Sequence, residues 1–239
     1  MTLTAVRPLT ARSAILSVLL GAHPPESAGS SLVRWGDRLG ISEQAVRVAL
    51  TRMVAAGDLE RSDAVYRLSP RLLERQARQD QAIERRPHAW DGSWTIAAVT
   101  TVGADAATRA DLRQRMTSSR FAELREGVWM RPANLDWVPD ADVAASIELM
   151  TGAPSRPSIE LAAELFDVDG WSQDADALTS ALDRSEEPAE RIAIAAAIVR
   201  LIVADPLLPP ELLPADWPGP ALRDTYDRFR TSLLGLVAG

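Results

Sequence analysis

Two glycines four positions apart, Gly36 and Gly40 in the stretch LVRWGDRLGISEQAVRVALT over residues 32–51, leave this part of the chain few ways to fold. Where two short helices cross at a tight turn, the contact needs a small residue and the turn needs one that tolerates positive φ. Both buried faces need apolar side chains. Gly36 meets the first need, Gly40 the second, and Leu39, Ile41, Val46, Ala49 and Leu50 the third. The pattern predicts a helix over 30–39 that Gly40 stops, a turn filled by Ile41, and a further helix to residue 55 that Ser42 caps. At about 100° per residue, Val46, Ala49, Leu50 and Met53 of the second helix point inward. Gln44, Arg47, Val48 and Thr51 gather on the opposite side.

These outward side chains are of the types that read a major groove. Arg pairs bidentately with guanine, Gln with adenine, and the methyls of Val and Thr touch the methyl of thymine. Ser42 at the helix N-terminus suits a phosphate. A rival reading of the same helix is a solvated face in a module that binds other proteins. Downstream, 58–61 and 65–68 flank the polar turn Ser62-Asp63-Ala64 and predict a short hairpin of the wing type. Arg61 and Arg67 on it are candidates for minor-groove phosphates, with the acid of Asp63 at the tip opposing them.

A net charge of −7 taken alone disfavours nucleic acid, but the charge is segregated. Residues 1–86 hold 13 Arg against 9 acids, a net +4, and the remainder holds 13 Arg against 24 acids, a net −11. All 26 basic residues are Arg, so any phosphate contact is a guanidinium fork. The chain has no cysteine, which removes disulfides, thiolate zinc sites and cysteine nucleophiles, and fits a reducing cytoplasm. Its two histidines, His23 beside Pro24 and His88 after Pro87, read as exposed turn residues and not as general bases. No apolar run reaches the roughly 18 residues that span a bilayer. No membrane segment, metal site, catalytic residue or tightly held cofactor is expected.

The apolar run over 10–22 fits a first helix better than a secretory signal, with Thr10 as cap and Gly21 closing it. Ser69-Pro70 opens a polar helix through residue 86, with too few apolar residues for a core position and therefore read as a connector. WDGSWTIAAVTT over 90–101 predicts a buried strand, 105–117 a helix with Leu112 and Met116 inward, and GVWMR over 127–131 another strand. A strand, a crossover helix and further strands suggest a ferredoxin-like α+β unit. Its last elements, around 147–150 and 159–166, are weakly marked. Helices follow over 174–182, 188–203 and 221–236, the second apolar nearly all round and so buried in a bundle. A proline-rich segment, DPLLPPELLPADWPGP, separates the last two.

The segments TARSAILSVLLG, SEQAVRVALTRMVAAGDLE, YRLSP, WDGSWT, GVWMRP and DPLLPPELLPADWPG occur in this order over nearly the whole chain. The sequence thereby resembles the PaaX-type transcriptional repressors of phenylacetic acid degradation, the proline-tryptophan segment being the most distinctive piece. The resemblance implies an N-terminal winged helix, a central ferredoxin-like domain similar to a small CRISPR-associated nuclease, and a helical C-terminal domain. It also implies a homodimer released from its operator by an aryl-acyl-CoA thioester. Carried over, the recognition helix is residues 42–55, with Arg47 and Arg52 in matching positions. Two departures matter. The wing lacks the longer Gly- and Arg-rich tip of many relatives, which puts its DNA contact in question. Residues 136–170 match loosely, so phenylacetyl-CoA itself is not carried over as the effector.

The expected organisation is a winged helix-turn-helix over 1–69, a connecting helix over 70–88, a ferredoxin-like domain over 89–166 and a helical domain over 167–239. The expected function is a cytoplasmic, homodimeric DNA-binding repressor of a catabolic operon. For an acyl-CoA effector, the phosphates suggest Arg109, Arg113 and Arg115 on the central helix, and an apolar pocket suggests Trp171 and Trp217. A nuclease reading of the central domain needs carboxylates at a strand end. Here the strand ends TTVG, and Asp105 comes late enough to read as a helix cap.

Overall fold

The computed structural model describes residues 9–84 and 87–238, which pack as two compact units. In chain order the elements are α1 (Ala11–Leu19), β1 (Glu26–Ala28), α2 (Gly29–Arg38), α3 (Glu43–Ala55), β2 (Leu59–Ser62), β3 (Val65–Leu68) and α4 (Pro70–Glu84). They continue with β4 (Trp94–Val99), α5 (Ala106–Ser118), β5 (Ala122–Arg125), β6 (Val128–Pro132), α6 (Ala141–Ala144) and β7 (Ile147–Gly152). Last come α7 (Ser158–Leu165), α8 (Val168–Arg184), α9 (Pro188–Ala204) and α10 (Gly219–Ala238). The protein is thus mixed α+β with two small antiparallel sheets. Among the described residues, no helix is long and apolar enough to cross a membrane.

The first unit holds the described residues of 1–85, 172–203 and 218–239. Its helices start where the local chemistry directs. The hydroxyl of Thr10 accepts the Ser13 N–H at 3.1 Å and that of Ser42 accepts the Ala45 N–H at 3.3 Å, each satisfying a donor that a helix start leaves orphaned. Ile15, Leu19, Leu32, Trp35, Val46, Leu50 and Met53 of α1 to α3 meet in one core, which Ile192 of α9 and Leu233 of α10 join. The small sheet has the order β1-β3-β2, all antiparallel, with Glu26 opposite Arg67. The start of β2 is anchored by the buried Asp58, whose carboxylate receives Arg12 at 2.9 Å and also Arg71.

Of the stretch read as a connector, α4 is the described part; residues 85 and 86 lie outside the described residues. Its inner face is Leu72, Gln76, Gln79 and Ala82. The Gln76 amide donates to the carbonyls of Leu19, Leu20 and Ala22 at 3.3, 3.1 and 3.0 Å, closing the end of α1, and Gln79 donates to the Tyr226 hydroxyl at 3.3 Å. The helix is therefore integrated into the unit although its sequence is polar.

The second unit holds the described residues of 86–171 and 204–217. Its sheet has the order β5-β6-β4-β7 with every neighbour antiparallel. Strand alternation sends Ala97, Trp129 and Ile147 to one face, under Met116 of α5 and Val143 of α6. Trp94 and Met130 go to the other face, against Leu161 of α7 and Leu208 and Leu212 of the proline-rich segment. That segment makes a short 3₁₀ turn at Pro210–Leu212 and is fastened by the Asn134 amide, which donates to the Leu207 carbonyl at 2.9 Å.

Candidate nucleic-acid interface

The angle between α2 and α3 is set by Gly36, where a Cβ would lie 2.4 Å from Cγ2 of Val46. Gly40 takes φ +69° and lets the Ile41 N–H return to the Gly36 carbonyl at 2.9 Å, which makes the turn tight. With Val46, Leu50 and Met53 buried, the remaining face of α3 is fixed outward. Gln44, Arg47, Val48, Thr51 and Arg52 are all exposed and, with Glu43, surround one shallow open depression.

The side chains of this face are not equally free. The Arg47 guanidinium donates from both Nε, at 2.7 Å, and Nη2, at 2.6 Å, to a single oxygen of Glu43 one turn earlier. Its Nη1 edge is left open. The Thr51 hydroxyl donates to the Arg47 carbonyl at 3.0 Å, so its methyl is what remains for an outside contact. Val48 stays 42% exposed, a large apolar side chain in the middle of a polar face. Arg52 has no ion-pair partner among the described residues. Glu43 was passed over in the sequence because an acid in a first turn reads as a dipole partner; its spacing of four to Arg47 was the available signal.

The hairpin of β2 and β3 turns at Asp63, with φ 54°. Arg61 donates from Nε to the Asp63 carbonyl at 2.7 Å and lies 5.7 Å over the Tyr66 ring, folding back on the tip. Arg67 pairs with Glu26 across the β1–β3 ladder at 3.0 Å. Both wing arginines thus have intramolecular partners.

In the second unit, Arg109 and Arg113 border a groove of about 730 Å³ between α5 and the sheet, with Val99, Ala106, Leu112 and Trp129 as apolar lining. Arg113 pairs with Glu123 at 2.7 Å and lies 5.7 Å over the Trp129 ring. Arg115 is turned elsewhere, to Asp111 at 2.7 Å and Asp140 at 3.0 Å. Trp171 and Trp217 stack on each other with centroids 4.4 Å apart and line no part of this groove. The Asp105 carboxylate accepts the Thr108 N–H at 2.7 Å as the cap of α5, which holds its pKa below the usual carboxylate value.

Family models match the chain in three successive pieces: PaaX-like protein over 10–72, PaaX protein central Cas2-like domain over 87–161, and PaaX-like protein C-terminal domain over 168–236. The chain belongs to the PaaX family. A curated relative, transcriptional repressor PaaX of Escherichia coli (strain K12), is 27% identical over 241 residues, covering 87% of this chain and 76% of that protein. A solved structure, uncharacterized protein Rv0674 from Mycobacterium tuberculosis, is 49% identical with a TM-score of 0.88, covering 96% of this chain and 98% of the other. Of the PaaX pieces, the first contains α3 and the hairpin, the second contains the α5 groove, and the third contains Trp171 and Trp217.

Proposed function

We propose that this chain is a cytoplasmic, homodimeric transcriptional repressor that reads a palindromic duplex with α3 and is released by an aryl-acyl-CoA-type ligand. The reading rests above all on the division of α3 into an inward face committed to the core and an outward face of Gln44, Arg47, Val48, Thr51 and Arg52. Helices α1 to α3 with the sheet β1-β3-β2 correspond to a winged helix, in which the second helix after the turn enters the major groove. The strand order β5-β6-β4-β7, with α5 and α6 covering one face, corresponds to a ferredoxin-like plan. The name of the E. coli relative supports the assignment as a repressor.

The test is fluorescence anisotropy with a duplex selected from a randomised library and with a shuffled duplex of equal length, over a salt series. Phosphate neutralisation makes log affinity fall linearly with log salt, and a module that binds only proteins gives no such binding. Arg47→Ala is expected to cost about 1–3 kcal/mol on the selected duplex and little on the shuffled one. An unchanged ratio between the two duplexes removes Arg47 from base recognition.

For the ligand, the α5 groove is the best-supported site, because its volume falls within the roughly 300–1,000 Å³ of small-molecule sites and two guanidiniums border apolar walls. Phenylacetyl-CoA titrated into the protein–duplex complex is expected to weaken binding by about 5- to 150-fold, a coupling of about 1–3 kcal/mol. Arg113→Ala is expected to abolish that effect. Equal weakening with Arg113→Ala and wild type rules the groove out.

A further inference from the structure

The two edges of the sheet in the second unit are built differently. Exposed edges are ordinarily protected by charge, bulges or a covering element, because an unpaired ladder invites another strand. The β5 edge carries Glu123 and Arg125, has a register shift between them, and lies beside α7. The β7 edge has none of these devices. It runs six residues, IELMTG, in unbroken register with β4 from Ile147 to Gly152, and Glu148 is its one charge. At its centre Leu149 is 39% and Met150 46% exposed. Leu149 stands opposite Ala97, on the side of α5, and Met150 opposite Ile96, on the other side, so the edge is apolar on both faces.

We propose that β7 pairs antiparallel with β7 of a second copy of this chain, doubling the four-stranded sheet across a two-fold axis. The inference rests on the homodimer in the reading above and names the surface that makes it. A two-fold perpendicular to the sheet keeps each face on its own side, and directly opposed residues of an antiparallel ladder share a face, so one residue must face itself. Centred on Leu149, the ladder sets Glu148 against Met150 and Ile147 against Thr151. Centred on Met150, it sets Leu149 against Thr151 and Glu148 against Gly152. Both arrangements keep the single carboxylate away from its copy, whereas opposed like charges destabilise a ladder. The strand is therefore self-complementary in two registers, each burying an apolar pair at the axis.

The absence of cysteine makes the test direct. Leu149→Cys and Met150→Cys, introduced singly into the full chain, are oxidised and run on non-reducing gels, with Val102→Cys at a 95% exposed position as the control for random collision. Directly opposed residues hold their Cβ atoms about 4.5–5.5 Å apart, close enough for a disulfide with small adjustment. Sedimentation compares wild type with Leu149→Lys/Met150→Lys, whose new charges sit at exposed positions and face each other across the axis. The expected result is a wild-type dimer, a covalent dimer from one of the two edge cysteines and none from the control, and a folded monomer from the lysine variant, with dissociation raised tenfold or more. A wild-type dimer in which neither edge cysteine cross-links overturns the β7 interface and leaves the homodimer standing on another surface. A wild type that stays monomeric overturns both, whether or not α3 binds duplex in its own salt titration.

Discussion

Replacing Gly36 with Ala tests how α3 is held, and the outcome turns on one neighbour. In an ordinary helix interior Gly→Ala stabilises by about 1 kcal/mol. Here the added Cβ would stand 2.4 Å from Val46 Cγ2, against an optimum of about 3.5–4.0 Å for two carbons, so a shift of over 1 Å is needed. Val46 is 1% exposed and β-branched, with little rotamer freedom to yield. Overpacking of this kind costs about 1–3 kcal/mol, which outweighs the propensity gain and leaves Gly36→Ala destabilising by up to about 2 kcal/mol. In the Val46→Ala background the obstructing methyl is gone, and the same change should stabilise by about 1 kcal/mol. The two substitutions are therefore coupled by about 1–3 kcal/mol with a reversal of sign. Amide exchange of Leu50 and Met53 in the four proteins reads the local free energy of opening. If Gly36→Ala stabilises in both backgrounds, or costs the same in both, the glycine is not the contact that sets the α2–α3 angle.

Two further outcomes follow from single side chains. Gln76→Leu keeps the apolar volume but removes the donor shared among the Leu19, Leu20 and Ala22 carbonyls, and is expected to cost about 1–3 kcal/mol in thermal unfolding; an unchanged Tm would mean that water replaces the amide freely. Asp105 has its pKa lowered first by the Thr108 N–H it accepts, so its contribution is full above the unfolded-state value of about 3.9 and is lost as pH falls through the lower folded value. Asn caps as well as Asp, so Asp105→Asn should remove that part of the acid sensitivity while keeping α5 folded; identical pH profiles of Tm for variant and wild type would contradict the cap.

What could be read from the sequence is what is specified within about one helical turn. Thr10, Gly36, Gly40 and Ser42 each act on residues three to ten positions away, and they put α1, the turn and α3 where the pattern predicts. The same holds for the outward set on α3, because it is the complement of an inward set that apolar periodicity reveals. Elements whose partners are distant were missed or misjudged. β1 is three residues without alternation, given meaning by Arg67 and its neighbours across the ladder. β5 is four residues with a shifted register. α4 reads as a solvated connector because its buried positions include Gln76 and Gln79, whose partners lie more than 50 residues away. α8 starts earlier than the predicted 174, since the Asp167 carboxylate accepts the Gly170 N–H at 3.0 Å and carries a glycine into its first turn. Among the arginines of α5, spacing could not tell Arg109 and Arg113 from Arg115. The difference is made by Asp140, on the approach to α6.

The ion pairs also apportion the work of duplex recognition in the proposed repressor. Arg61 is held to the hairpin tip and Arg67 to Glu26, so for either to meet a phosphate an existing contact must be exchanged, and the net gain is reduced. Arg52 carries no such commitment among the described residues and is the arginine of this face best suited to a phosphate. Arg47 differs from all three, because Glu43 takes its Nε and one hydrogen of Nη2 while leaving the Nη1 edge free. A guanidinium anchored on one edge has lost less of its freedom to the contact it makes with the other, which favours a directional bidentate partner such as guanine over a diffuse phosphate. The carboxylate of Glu43, standing at the helix start where a phosphate would otherwise be drawn, opposes close backbone approach there unless Arg47 stays beside it. Sequence discrimination is therefore concentrated in the first two turns of α3, and the short wing contributes chiefly to the fold that holds them.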